Sequence, residues 1–579
     1  MFNFGNCITP FRLDLYHMES FSLPEGNYIN VRTIETQPPL SNQASEVGST
    51  ATNGANSSQL IFPAKASIVE VWIPIKSEAS SSLTGFLRKS TPDVAPQLQS
   101  PLGSRKVRPS HVLFPDPASM PNPSANKMLK PLKGHTSSFI KSVEGVPISQ
   151  SVFKTIAETQ FGGSVFIGGI AGGGTGKTVN VCDFSPIEGK NKDALCKLTF
   201  PVTPSAIALN NFNASSTQLS FLVGFDTGDI LWFDPIIAKY TRLNKSGQAT
   251  SSPVTSLNWL PIGFMIGVPA DALSRDDVQI NSVGGWFAST HADGSIFIWD
   301  RDRDDLSGSL MNITEAINIT PTLVSDLPLY DTPNTPSVGA KSSFAELSIS
   351  KPVVNPNDKE KKTKTALNPV TMWKTGSTPI TDLSTSPDGK YVAVVGDDGL
   401  LRIIEAASER ILDCFQGYFG GLTCTAWSPD SKFVVTGGQD DLCAVYVPYE
   451  QSLVAYGEGH CSYLSKLAWD PWKSDPLSWR FVSVGQDTKL LVWELSEAGL
   501  VRPKPAKHQH LAHHTASNGR NAAHYHPSPR RAEVPVLLPL TEASLGNDII
   551  VDVYVFERFI ITIARLGQIK IWERPDDEI

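Results

Sequence analysis

The sequence predicts an all-β chain closed into a seven-bladed β-propeller. Three observations carry this: a complete polar signature over residues 459–494, the return of its offsets along the chain, and turn residues spaced for short strands. In the signature, Gly459-His460 is followed by Phe481-Val-Ser483-Val-Gly-Gln-Asp487-Thr-Lys-Leu-Leu-Val-Trp493-Glu494. The His stands before a first strand, the Ser on the second, the Asp in the turn after it and the Trp on the third. They can satisfy one another: carboxylate to imidazole, imidazole to hydroxyl, hydroxyl to indole N–H. A half-made buried network would strand a polar group at a cost of about 1–3 kcal/mol, so the four residue types matter together.

This is the spacing of a WD repeat, the unit of one propeller blade. Ser289, Asp293 and Trp299 repeat it, with Ser four residues before Asp and Trp six after. Thr436, Asp440 and Tyr446 keep it with a phenol in the ring position. Asp226 and Trp232 keep turn and ring, with Leu222 in the hydroxyl place. Asp398 keeps the turn alone, with Ile404 at the ring position, and 559–573 has the ring, Trp572, but no turn Asp. Strand alternation gives seven units from residue 151: 151–185, 198–235, 252–300, 371–406, 414–449, 459–495 and 533–574. At about 40–45 residues per blade these leave much of the 579 residues as extension and loop.

Residues 1–135 are rich in Ser, Pro, Asn and Gln and are expected to be a largely disordered N-terminal extension, with the propeller occupying 136–579. The extension holds only short apolar islands, such as Ser67-Ile-Val-Glu-Val-Trp-Ile-Pro74, and one island of the extension is expected to supply the edge strand that closes the ring. Two long loop insertions, 303–366 and 499–530, are placed between the third and fourth and the sixth and seventh blades, and both are expected to be mobile.

A net charge of −8 with no long basic run argues against nucleic acid as a partner. The first residues lack the charged and apolar regions of a signal peptide, and no run of about 18 apolar residues offers a membrane span. Seven cysteines, scattered and never C-x-x-C, fit a reducing intracellular setting with structural thiols. The cytoplasm is the expected location, with the nucleus as a second.

Ala171-Gly-Gly-Gly-Thr-Gly176-Lys177-Thr178 resembles a phosphate loop, but such a loop needs a helix starting at its Lys-Thr. The next residues, Val179-Asn-Val-Cys-Asp-Phe, alternate at strand period, so a hairpin is expected. Six histidines between His508 and His526 permit a metal site by spacing, yet a solvated loop lacks the surrounding shell that fixes ligand geometry. His460, Ser483 and Asp487 could pass for a nucleophilic triad, but a triad Ser is exposed beside an oxyanion hole and this one lies mid-strand. No catalytic residue, metal or cofactor is expected.

Exposed aromatics are better candidates for function. Gln416-Gly-Tyr418-Phe419-Gly-Gly-Leu precedes one first strand and Gly459-His-Cys-Ser-Tyr463-Leu-Ser precedes the next. Large rings on adjacent rim loops are usual ingredients of a binding hot spot, so Phe419, Tyr463 and Tyr418 are the expected partner-binding residues.

The block from Tyr418 to Leu442 resembles the CreC catabolite-repression proteins of filamentous fungi and their animal WD-repeat relatives. Further blocks agree: Gly228-Asp-Ile-Leu-Trp-Phe-Asp-Pro-Ile236, Ser252-Pro-Val-Thr-Ser-Leu-Asn-Trp259, Ala468-Trp-Asp-Pro-Trp472, Ser483-Val-Gly-Gln-Asp487 and Val536-Leu-Leu-Pro-Leu540. The resemblance spans about 200–575 and fades over 1–135 and both insertions; at 463 a Tyr stands where the group typically has Trp. It implies a non-catalytic partner that binds, stabilises and helps activate a ubiquitin-specific protease of the CreB type. In fungi that pair is linked to carbon-source regulation of gene expression, and a further WD-repeat subunit belongs to the implied complex. The alternative from the residues alone is a general scaffold or substrate receptor, for example of a ubiquitin ligase, because a fold does not decide a function.

Overall fold

The computed structural model describes residues 19–35, 64–73, 129–132, 138–158, 164–172, 176–185, 194–267, 279–281, 284–305, 310–312, 347–352, 367–496, 500–501 and 523–575. Seven antiparallel sheets form the seven blades. Their first strands surround the centre and are tied side to side. Thr381 donates to the carbonyl of Leu422 (2.6 Å), Thr423 to that of Leu464 (2.6 Å), and Tyr554 of the last blade to that of Ala66 in the first (2.7 Å). Lys466 and Asp382 pair across the same inner layer at 2.9 Å.

Seven apolar clusters fill the seven gaps between blades. Both faces of every middle strand are therefore buried, which is why strands such as Phe221–Phe225 and Ile230–Asp234 are buried at every position. The strict alternation of a one-sided sheet is lost there.

Sequence repeat and structural blade are out of phase by one strand. Thr371–Lys374, expected to open the fourth blade, pairs with Ser295–Asp300 as the outer strand of the third. The fourth blade is Ile380–Thr385, Tyr391–Gly396, Leu400–Glu405 and Arg410–Gln416. Likewise Pro539–Ser544 pairs with Lys489–Ser496 and completes the sixth blade. Both insertions thus lie inside a blade, between its third and fourth strands, rather than between blades. Most of each lies outside the described residues, as does the question of their mobility.

The extension also needs correcting. Strand Gly26–Glu35 pairs with Gln568–Glu573 as the outer strand of the seventh blade, so this segment closes the ring. The island at 67–74 forms most of Lys65–Trp72, the innermost strand of the first blade, paired with Ser164–Ala171. Both segments belong to the propeller, although they precede residue 136. At the expected start of the first blade stands a helix, Gln150–Glu158, which buries Phe153 and Ile156 beneath the first two blades. The rest of the extension lies outside the described residues.

Closure is reinforced by buried polar contacts. Tyr28 donates to Glu25 (2.7 Å), Arg480 pairs with Glu25 (2.5 Å), and Arg574 pairs with Asp470 at 2.9 Å with both side chains 2% exposed. Phe21, Leu23 and Tyr28 join the apolar cluster between the sixth and seventh blades.

Candidate protein-binding face

The turns between second and third strands and the connectors leading to first strands meet on one face of the ring. The two are laced by a recurring backbone bond from turn to connector: Asp226 N–H to Thr203 (3.3 Å), Ala292 to Pro253 (3.1 Å), Asp397 to Pro379 (3.0 Å), Gln439 to Gly421 (2.9 Å) and Gln486 to Tyr463 (2.8 Å). This bond sets positions in register from blade to blade.

In the sixth blade the polar network is complete. His460 Nδ1 lies 2.9 Å from Asp487 Oδ2, His460 Nε2 lies 2.7 Å from Ser483 Oγ, and Trp493 Nε1 donates to Ser483 Oγ at 2.7 Å. Burial pushes the Asp487 carboxyl up, but the hydrogen bond to His460, the Cys461 amide, the imidazole's charge and the Lys489 amide together hold it below its ordinary value. The hydroxyl is fully buried and serves two partners, which leaves no nucleophile there.

Replacing Asp487 by Ala is expected to lower stability by about 1–3 kcal/mol, the cost of an unsatisfied buried group. Thermal melting reads it directly. A carboxyl held low in the folded state stabilises above its unfolded pKa of about 3.9 and loses that contribution as pH falls through the lower folded value. The gap in melting temperature between wild type and variant should therefore close in acid; a gap that persists there would remove the carboxylate from the account.

The other blades vary the network. In the third, Trp299 Nε1 donates to Ser289 (2.8 Å), but the imidazole comes from His291, two residues along the same strand, 2.9 Å from Ser289. Asp293 bonds Thr250 (3.4 Å), which stands where the sixth blade has His460, and the Ser295 amide (3.1 Å). The third blade thus keeps Ser, Asp and Trp at the expected offsets and differs in where its imidazole comes from. In the seventh, Trp572 donates to Thr562 (3.0 Å), a pair that offset counting from a turn Asp misses. In the fifth, Thr436 and Tyr446 are buried and Asp440 accepts from the Leu442 amide (3.3 Å).

The second blade is displaced by one residue from its expected frame. The left-handed turn position is Gly228 there, as it is Gly294 in the third blade and Thr488 in the sixth. Thr227 therefore matches Asp487, and Phe233 rather than Trp232 takes the ring place. Trp232 faces the third blade instead, with no acceptor for its N–H among the described residues. Aligning on the glycine, which alone tolerates this conformation at no cost, reveals the shift.

Of the three expected partner-binding residues, two are open. Phe419 is 77% exposed and Tyr463 43%. Gly420, with φ +67°, turns the chain behind Phe419; a Cβ there would lie 2.9 Å from Gln439. Tyr418 departs from expectation. Three residues before Gly421, it occupies the place of His460 in the next blade, and its half-buried ring packs edge-on against Tyr456 (5.7 Å) and beneath Arg531 (5.3 Å). Burial pushes its phenol up to about 12. Its ring is used within the protein.

Among the described residues no group of three His, Cys, Asp or Glu side chains is placed to hold a metal. Of the His-rich run only His524 and His526 are described; His526 bonds Asp413 at 2.8 Å and stacks on Phe415. Ser164–Ala171 and Thr178–Asp183 pair as a hairpin around the glycine-rich stretch, of which 173–175 lie outside the described residues.

The model for the WD domain, G-beta repeat, matches residues 368–405 and 409–446. Each match begins on the outer strand of one blade and runs through three strands of the next, the phase seen in the fold. The chain is also similar to the UBP9-binding protein bun62 of Schizosaccharomyces pombe (strain 972 / ATCC 24843), at 32% identity over 408 residues. The alignment covers 66% of this chain and 66% of that relative's length, a little under two thirds. Repeats and seven-bladed ring make the chain a WD-repeat propeller protein, and the likeness to this relative is consistent with the CreC-like group.

Proposed function

We propose that this chain is a non-catalytic regulatory subunit that binds, stabilises and activates a ubiquitin-specific protease of the CreB type. The observation that carries it is the open pair Phe419 and Tyr463 on adjacent connectors of one face, rings of the kind that anchor protein interfaces. The relative's name supports the choice of partner, since it binds UBP9, a ubiquitin-specific protease. The proposal extends to a further WD-repeat subunit in the complex, to carbon-source regulation of transcription, and to the cytoplasm and nucleus as its places of action. The Ser289, Ser483 and Thr562 hydroxyls are buried and bonded, which supports a binding rather than a catalytic role.

The test is a saturation experiment. Titrating the purified chain into a CreB-type protease should raise cleavage of a ubiquitin–fluorophore substrate to a plateau, while the chain alone cleaves nothing. Turnover by the chain alone would make it an enzyme. Recovery of ligase subunits from cells in place of a protease would make it a substrate receptor.

A further inference from the structure

After the third strand of the sixth blade, the chain comes back across two earlier blades before supplying the fourth. His524–His526 runs parallel to Arg410–Gln416 on the outer edge of the fourth blade, and Val536–Leu537 parallel to the end of Ser452–Gly457 on the fifth. Between them Pro527-Ser528-Pro-Arg530 crosses without ladder partners and leads into the 3-10 turn Arg531–Glu533. This strap grips the connector that carries Phe419. The Ser528 hydroxyl lies 2.7 Å from the carbonyl oxygen of Gln416 and 2.8 Å from that of Gly417. Tyr525 donates to the Gln416 side chain. Arg531 covers Tyr418 and Tyr456 at 5.3 Å and 5.9 Å, and Val534 packs with Leu442 and Tyr456 beside Tyr418.

We propose that Ser528 is a phosphorylation site for a proline-directed serine kinase, and that a phosphate there releases the strap from the Gln416–Tyr418 connector. The acceptor is followed by Pro529, with Arg531 at the third place, in an extended and partly exposed segment that can enter a kinase groove. In the transfer, the Ser528 oxygen bonds to the γ-phosphorus of ATP as the β,γ-bridging bond breaks. The hydroxyl proton goes to the kinase's base, and ADP leaves. The product has no hydroxyl donor, and a group of charge about −1.5 to −2 then faces two carbonyl oxygens that can only accept. Asp413, bonded to His526 at 2.8 Å, and Glu458, 4.0 Å from Arg531, add negative charge along the strap, while Arg530 and Arg531, two and three residues on, become the phosphate's natural partners. Drawing Arg531 toward the phosphate uncovers Tyr418 and Tyr456. The inference concerns the strap alone and does not depend on a protease partner.

Hydrogen exchange of the full chain, before and after treatment with ATP and a proline-directed kinase, tests both halves. One phosphate should appear on the peptide containing Ser528 and be missing from Ser528→Ala. In the phosphorylated chain the amides of Tyr456 and Glu458, which bond Pro535 and Leu537 of the strap at 3.1 Å and 3.3 Å, should exchange at least about tenfold faster, or 1.4 kcal/mol, with the first blade unchanged. A chain synthesised with phosphoserine at 528 separates release from the choice of kinase. No phosphate on Ser528 in the folded chain would overturn the site, and unchanged protection in the phosphoserine chain would overturn the release.

Discussion

Asp470→Ala is expected to be the most damaging single substitution in the ring, lowering stability by about 3–5 kcal/mol, the usual cost of breaking a buried ion pair from one side. Arg574 comes directly after the last strand of the seventh blade, and Asp470 lies on the long first strand of the sixth, Leu464–Asp475. Their pair is 2.9 Å apart and almost wholly buried. Arg574 Nε and its second terminal nitrogen have no hydrogen-bond partner among the described residues, so its charge rests on one carboxylate. Removing that carboxylate strands a guanidinium beside Tyr28, Glu25 and Arg480, the residues that seat the closing hairpin. Replacing both partners by apolar residues of similar volume, Asp470→Leu with Arg574→Met, should recover most of the loss, since desolvation then costs little. Denaturant titration of the three variants decides it. If Asp470→Ala unfolds at the wild-type midpoint, the guanidinium is solvated and the closure does not depend on the pair.

Much of the fold was legible because blade formation is local. The hairpin over Ser478–Gly485 and Lys489–Ser496 is written in one stretch by hydrophobic alternation around a tight turn, and its network residues fall at fixed offsets. What the sequence could not show is which outer strand joins which blade. Any alternating run can satisfy an open edge, so Thr371–Lys374 read as the start of a new unit when it finishes the previous one, across an insertion. The closing strand was hidden for the same reason. Gly26–Glu35 carries few strong apolar signals and finds its place by pairing with Gln568–Glu573, more than 500 residues away.

The face was legible where chemistry demands a set of partners and obscure where it does not. His460, Ser483, Asp487 and Trp493 meet because each satisfies another. His291 substitutes from within a strand, and Thr250 takes over Asp293, because a polar group shielded from water needs a partner but not a particular residue. Tyr418 could not be told from Phe419 by type or neighbourhood. It is drawn inward by a strap more than 100 residues further along the chain, and its position matches His460, which alignment on the turn-to-connector bond would have revealed.

Phe419→Ala combined with Tyr463→Ala is expected to abolish capture of the proposed protease partner while leaving the melting temperature near that of the wild type. The two rings are not equivalent in register: Tyr463 corresponds to Gly421, and Phe419 stands two residues earlier, so the pair spreads across the gap between the fifth and sixth blades. Their connectors are fixed from behind, Gly421 by Gln439 (3.1 Å) and Tyr463 by the Gln486 amide (2.8 Å), so little ordering opposes binding. Truncating one hot-spot ring typically costs about 2 kcal/mol or more, roughly thirtyfold in affinity at 1.4 kcal/mol per decade, and two such losses exceed what a pull-down tolerates. Exposed side chains contribute little to stability, and 77% exposure puts Phe419 well inside that class. Tyr463→Trp should tighten binding if the larger ring occupies the same pocket. Undiminished capture by the double variant would move the interface off these connectors; a lowered melting temperature would instead make the rings part of their own blades.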